Sequence, residues 1–179
     1  ITKGLLFYYF SSKQELFEFL FHYSVKFLIE AIWSSPDRMP SDLFERYLVV
    51  AAIKLKIAAQ YPDMYDFVQY AVKDQDNEFK NFFNSDEYLH ISEEFRKKLH
   101  EGIDLSKFKP DIDTSKALQI IWWVIESFAL VKQKEAAELN ILRDDEFVNQ
   151  MMNEVREYLQ VLKTAFYKEE FLYDCMEIN

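Results

Sequence analysis

The sequence predicts an all-α protein, and three observations carry that expectation. Only two glycines and four prolines occur in 179 residues, and every proline sits at a break between segments. Such scarcity suits long helices and not a loop-rich β protein. Apolar residues recur at helical spacing, and no run alternates as a half-buried strand would. Half of the residues are apolar and 17% are aromatic, enough to fill a sizeable core.

Residues 2–9 read as a short helix with Thr2 as its N-cap. Ser11 and Ser12 then cap a long helix from Lys13 to about residue 33. On it Glu15, Glu18, His22, Lys26 and Glu30 form one polar stripe, and Leu16, Phe17, Leu20, Phe21, Tyr23, Phe27, Leu28 and Ile32 occupy the rest. So wide an apolar surface needs neighbours on two sides.

Ser34-Ser35-Pro36-Asp37 ends this helix, and Pro40-Ser41-Asp42 begins the next, which runs to about Gln60. Pro62 breaks the chain, because proline lacks the N–H a continuing helix would use. A shorter helix is expected from Asp63 to about Lys73. Another helical region follows from Asn77 to about His100, with 84–86 as the place for an interruption. Gly102 suits a helix C-terminal cap, and 103–112, containing Pro110, reads as a loop. Asp113 or Thr114 caps a helix reaching about Leu139. Asp144, Asp145 and Glu146 put acid at the start of the last helix, where the dipole favours it. That helix reaches about Tyr167, before a short tail.

The most apolar stretch, 117–131, is shorter than the roughly 18–20 residues of a membrane span. No secretory leader is apparent, and a lone cysteine, Cys175, cannot form an internal disulfide. A soluble, cytoplasmic protein with no membrane partner is expected. The net charge of −10 would ordinarily disfavour nucleic acid. Two of the 21 Lys and Arg, however, lie in 1–13 with no acid, which leaves 19 against 31 acids, a balance of −12, for 14–179. A basic end on an acidic body can still touch phosphate, because screening confines the field to about 8–10 Å.

A short helix, a tight connection and a long helix that opens with lysine match the exit of a helix-turn-helix unit. In particular, Thr2-Lys3-Gly4-x-Leu6-Phe7-x-Tyr9-Phe10-x-x-Lys13-x-x-Leu16 resembles the recognition-helix signature of the TetR family of bacterial transcriptional repressors. A weaker match is the loop from Gly102 through Phe108, Pro110, Asp111 and Asp113. The resemblance implies that 1–34 are the back part of a DNA-binding head with its linking helix, and 35–179 a ligand-binding and dimerisation domain. Leu6 and Phe10 would pack the recognition helix onto the next, while Thr2, Lys3, Gly4, Leu5, Tyr8, Tyr9 and Lys13 would face operator DNA. Phe7 stands where the family commonly has Tyr, and Leu5 where a polar reader is frequent. The two helices that precede this one in the family are not among residues 1–179.

The resemblance also implies a small effector bound between helices. The aromatic segment 61–95 suits an apolar or amphipathic molecule. The residues expected to line its site are Tyr65, Phe67, Tyr70, Phe82, Phe83 and Phe95, with Trp122 and Glu126. Glu126 is the only charge between Lys116 and Lys132. It stands at a helix edge in water, pairs across a dimer, or points into a pocket. On the last helix Met151, Met152, Val155, Leu159 and Leu162 form a stripe that, with Trp123, would make half of a four-helix homodimer interface. An internal seam explains that stripe nearly as well.

No catalytic group assembles from the sequence. His22, His90 and His100 are isolated, and Gly4 and Gly102 cannot make a phosphate-cradling loop. Neither enzyme activity, metal nor cofactor is expected. The alternative to a ligand-responsive repressor is a helical ligand-carrier or protein-interaction domain that does not bind DNA.

Overall fold

A computed structural model describes residues 3–34, 39–73, 86–139 and 144–172. The fold is all-α: α1 Lys3–Tyr9, α2 Lys13–Trp33, α3 Leu43–Gln60, α4 Pro62–Lys73, α5 Asp86–His100, α6 Thr114–Leu139 and α7 Asp145–Phe166. The expected segment 77–85 lies outside the described residues. No helix of the described residues is long and apolar enough to cross a membrane.

Side-chain caps begin four of the helices. The Ser12 hydroxyl accepts from the Glu15 N–H at 3.0 Å, and Glu15 reaches back to accept from the Ser11 N–H and hydroxyl at 2.7 and 2.5 Å. This reciprocal pair satisfies donors that the first helical turn cannot satisfy itself, and the Ser11 bonds hold the Glu15 carboxyl below its usual range. Asp42 accepts from the N–H groups of Phe44 and Glu45, Asp113 from Lys116 and Asp144 from Phe147. Pro62 occupies the first position of α4, where its missing N–H costs nothing. Gly102 follows α5 at φ 68°, a left-handed conformation that disfavours any side chain.

The chain forms two compact units. The first holds α1, α2, α4, α5 and α3 from Ala52 onward; the second holds Met39–Ala51 and the chain from Gly102 onward. The division at residue 34 expected from the resemblance separates a DNA head from a sensor, and compactness does not bear on it. In the first unit Phe17 and Phe21 of α2 pack on Val68 and Ala71 of α4, with Val25, Leu28, Phe67 and Tyr88 around them. In the second, α6 packs along α7.

The connection 103–112, expected as a plain loop, carries more order than its composition suggests. Leu105–Lys107 form a 3-10 turn, and Phe108 makes an isolated antiparallel bridge with Tyr167. The Lys109 N–H donates to the Phe166 carbonyl and the Lys168 N–H to the Lys107 carbonyl, at 2.9 and 3.0 Å. Tyr167 is therefore not the start of a loose tail. It is fully buried, its ring edge-on to Phe44 and Phe108, and its hydroxyl accepts from the Leu43 N–H at 3.3 Å.

Burial holds the Tyr167 phenol well above the ordinary tyrosine range, and the charge of Asp42 pushes the same way. A raised folded pKa leaves stability intact below the unfolded value of about 10 and erodes it as pH rises beyond. Urea unfolding followed from about pH 8 to pH 11 should show this loss, and Tyr167→Phe should make it shallower. Tyr65, also raised by burial and then by Asp66, should leave a residual slope.

Candidate functional site

Helix α1 presents two distinct sides. Leu6 and Phe10 are half-buried, and the Phe10 ring meets Phe19 of α2 with centroids 5.3 Å apart. Leu5, Tyr8 and Tyr9 are exposed, Tyr8 by 79%, and Lys13 is exposed in the first turn of α2. Spacings of three and four residues place Leu5, Tyr8 and Tyr9 on one helix face, where the two tyrosine rings meet edge to face at 5.1 Å. Lys3 and Gly4 belong to α1, while Thr2 lies outside the described residues.

The long helix α2 was expected to need cover on two sides, and the structure provides one. Phe17, Phe21, Ser24 and Ile32 are buried, whereas Phe19, Leu20 and Tyr23 are exposed. That open flank, beside α1, was hidden in the sequence because a helix apolar all round does not reveal which side its own chain covers.

The residues expected to line an effector site divide between the units. Phe67 joins the α2–α4 cluster, edge-on to Phe17 at 5.6 Å. Tyr65 and Phe95 are partly buried in the same unit. Tyr70 requires correction: it is exposed, because it falls outside the arc of Met64, Phe67 and Val68 that α4 turns inward. Trp122 and Glu126 are partly buried in the second unit, and neither stands without an interaction. Phe82 and Phe83 lie outside the described residues.

The expected dimer stripe also needs correction. Val155, Leu159 and Leu162 are buried within the chain and fill its own interior, so a second copy cannot reach them. Met151 and Met152 are partly buried. The exposed apolar residues of α7 sit one position earlier, at Tyr158 and Val161, the latter 68% exposed. They accompany Ile120, Trp123, Leu130 and Val131 on α6, with Trp123 59% exposed. Tyr158 lies against Phe128, centroids 5.4 Å apart. Sequence periodicity finds an apolar stripe but not its two rims, so of these residues only Trp123 was expected and Ile120, Leu130, Val131, Tyr158 and Val161 were missed.

Lys132 fastens α6 to α7. Its ammonium lies 2.8 Å from Glu154 and 3.1 Å from Glu135. The Glu154 bond contributes most to holding the lysine above its usual pKa, and the same bond holds Glu154 below its own. Among the described residues no group of three or more His, Cys, Asp or Glu is placed to hold a metal ion. No protein-family model, curated protein or solved structure matches the chain.

Proposed function

We propose that the protein is a ligand-responsive transcriptional regulator of the TetR type, a cytoplasmic repressor that binds operator DNA as a homodimer and is released by a small apolar or amphipathic effector. The observation that carries this function is the two-sidedness of α1. Leu6 and Phe10 face inward with Phe10 on α2, while Leu5, Tyr8, Tyr9 and Lys13 face outward, as a recognition helix and its neighbour require. The open flank of Phe19, Leu20 and Tyr23 offers a seat for the helices that precede this one in the family.

Operator binding should be measured with the protein carrying any native residues encoded before Ile1, on a duplex from beside its own gene, at two salt concentrations. Tight, salt-sensitive binding that a scrambled duplex does not reproduce is the expected result. Weak binding indifferent to sequence would leave the carrier function in place. The acidic charge of −10 and the aromatic cluster around Phe17 and Phe21, which needs no DNA to explain it, favour that second function.

The homodimer would form through Ile120, Trp123, Leu130 and Val131 of α6 with Tyr158 and Val161 of α7. Two-fold symmetry would then let paired recognition helices read half-sites about one DNA turn apart. Trp123→Glu combined with Val161→Glu should give monomers by sedimentation velocity. Both side chains are exposed, so folding of the single chain should change by no more than about 0.5 kcal/mol per site. A dimer that survives both charges would place the interface elsewhere.

A further inference from the structure

Helix α1 turns a narrow chemistry outward. Leu6 and Phe10 are half-buried on its inner side, and the Phe10 N–H donates to the Leu6 carbonyl at 3.0 Å, closing the last turn. The outer face is left to Leu5, Tyr8 and Tyr9, all exposed, Leu5 by 48%. The two tyrosine rings brace each other edge to face, with centroids 5.1 Å apart, so each hydroxyl stands at the tip of a supported ring. Leu5 precedes them by one turn on the same face. From Gly4 to Phe10 the sequence carries no amide, carboxylate, guanidinium or ammonium side chain.

That composition limits what the face can read. Base pairs present hydrogen-bonding groups on their major-groove edges, and arginine, asparagine and glutamine discriminate by engaging two of them at once. Leucine can do none of this. The one apolar group on those edges is the C5-methyl of thymine, and a leucine gains by covering it because both surfaces leave water. The two phenols are uncharged, and each can donate to a phosphate oxygen without adding to the counterion release that a lysine brings. The carboxylates nearest in the chain are engaged elsewhere: Glu15 accepts from Ser11 and Glu18 from Gln14.

We infer that Leu5 is the specificity-determining residue on the outer face of α1 and reads the methyl group of a thymine in each operator half-site, while the Tyr8 and Tyr9 hydroxyls hold the helix to the DNA backbone. This assignment rests on the operator-binding function proposed above and names a base that the operator must carry. Discrimination at that position comes from a methyl contact and not from paired hydrogen bonds.

Selection from random duplexes, with the protein carrying any native residues encoded before Ile1, supplies the operator for the test. Each thymine of that duplex is then replaced singly by deoxyuridine, which removes the methyl group and keeps the base pairing. One replacement in each half-site should weaken binding by the parent about fourfold, the worth of one methyl group taken from water. The same replacement should leave binding by Leu5→Ala unchanged. Tyr8→Phe should bind every duplex more weakly and keep the uridine effect. Selection repeated with Leu5→Gln should move the preference at that position from thymine to adenine, which glutamine engages through two hydrogen bonds. Leu5 and Tyr8 are exposed, so all three variants should melt with the parent. A parent indifferent to every uridine, a uridine effect of equal size in Leu5→Ala, or an unchanged preference in Leu5→Gln would overturn the assignment and leave operator binding standing. A selection that enriches no sequence would remove both proposals together.

Discussion

Asp42→Ala should cost about 3–5 kcal/mol of folding stability, the range for removing one partner of a buried ion pair. Asp42 is only 2% exposed and performs two tasks at once. Its Oδ1 accepts the Phe44 and Glu45 N–H groups at 2.9 and 3.1 Å, capping α3. Its Oδ2 meets the Lys107 ammonium at 2.8 Å, and the Lys107 side chain is itself only 15% exposed. The alanine variant therefore leaves two backbone donors unmet and takes the Asp42 carboxylate away from a largely buried lysine. Asp42→Asn separates the tasks, because an amide oxygen still caps the helix but cannot balance the lysine. It should lose less than the alanine variant. Asp42→Asn combined with Lys107→Met should recover part of that loss, since replacing both charges costs less than isolating one.

The effect should reach beyond α3. The Asp104 N–H donates to the Ser41 carbonyl at 2.8 Å, Arg46 Nε donates to the Pro40 carbonyl at 2.7 Å, and the Lys107 carbonyl accepts from Lys168. Hydrogen exchange in Asp42→Ala should accordingly show lost protection at Lys109 and Lys168 as well as at Phe44 and Glu45. A loss of less than about 1 kcal/mol in urea unfolding, with those amides still protected, would show the pair to be dispensable.

Much of this scaffold is written locally in the sequence. Ser12, Asp42, Asp113 and Asp144 cap helices by bonds that span two or three residues. Pro62 and Gly102 act through their own backbone chemistry, so these punctuation marks can be read without tertiary information. The clasp around Tyr167 cannot be read that way. Its partners Leu43, Phe44 and Phe108 are distant in the chain, and nothing in the composition of 167–172 distinguishes it from a tail. The same limit applies to the faces of α7. Burial of Leu159 and exposure of Tyr158 are decided by where α6 lies, and adjacent residues of an apolar helix differ in fate by only about 100° of rotation.

The candidate site divides along the same line. The inward turn of Leu6 and Phe10 follows from their four-residue spacing, and the outward turn of Tyr8 and Tyr9 follows with it. The contacts of Phe95 with Trp33 and Lys54 join three helices and have no local signature. Aromatic density picked out Phe95, which is partly buried, and equally Tyr70, which faces water.

Phe21→Ala should cost about 3–5 kcal/mol, the range for truncating a buried aromatic side chain. Phe21 is 1% exposed and lies between α4 and α5, stacked on Phe17 at 6.1 Å and tilted against Tyr88 at 6.0 Å. Its removal leaves a cavity bounded by Val68 and Ala71, which aromatic neighbours cannot fill without leaving their rotamers. Tyr23→Ala, two residues further along α2, should change stability by no more than about 0.5 kcal/mol, because that side chain is already in water. Phe19→Ala should fall between them: it gives up the Phe10 contact that seats α1 while leaving the α2–α4 core intact. The order Phe21, Phe19, Tyr23 in urea midpoints would show that α2 carries its stability on one flank and α1 on the other. A large loss for Tyr23→Ala in this chain would mean that the flank is already covered, and that it is not the open seat on which a preceding pair of helices could dock.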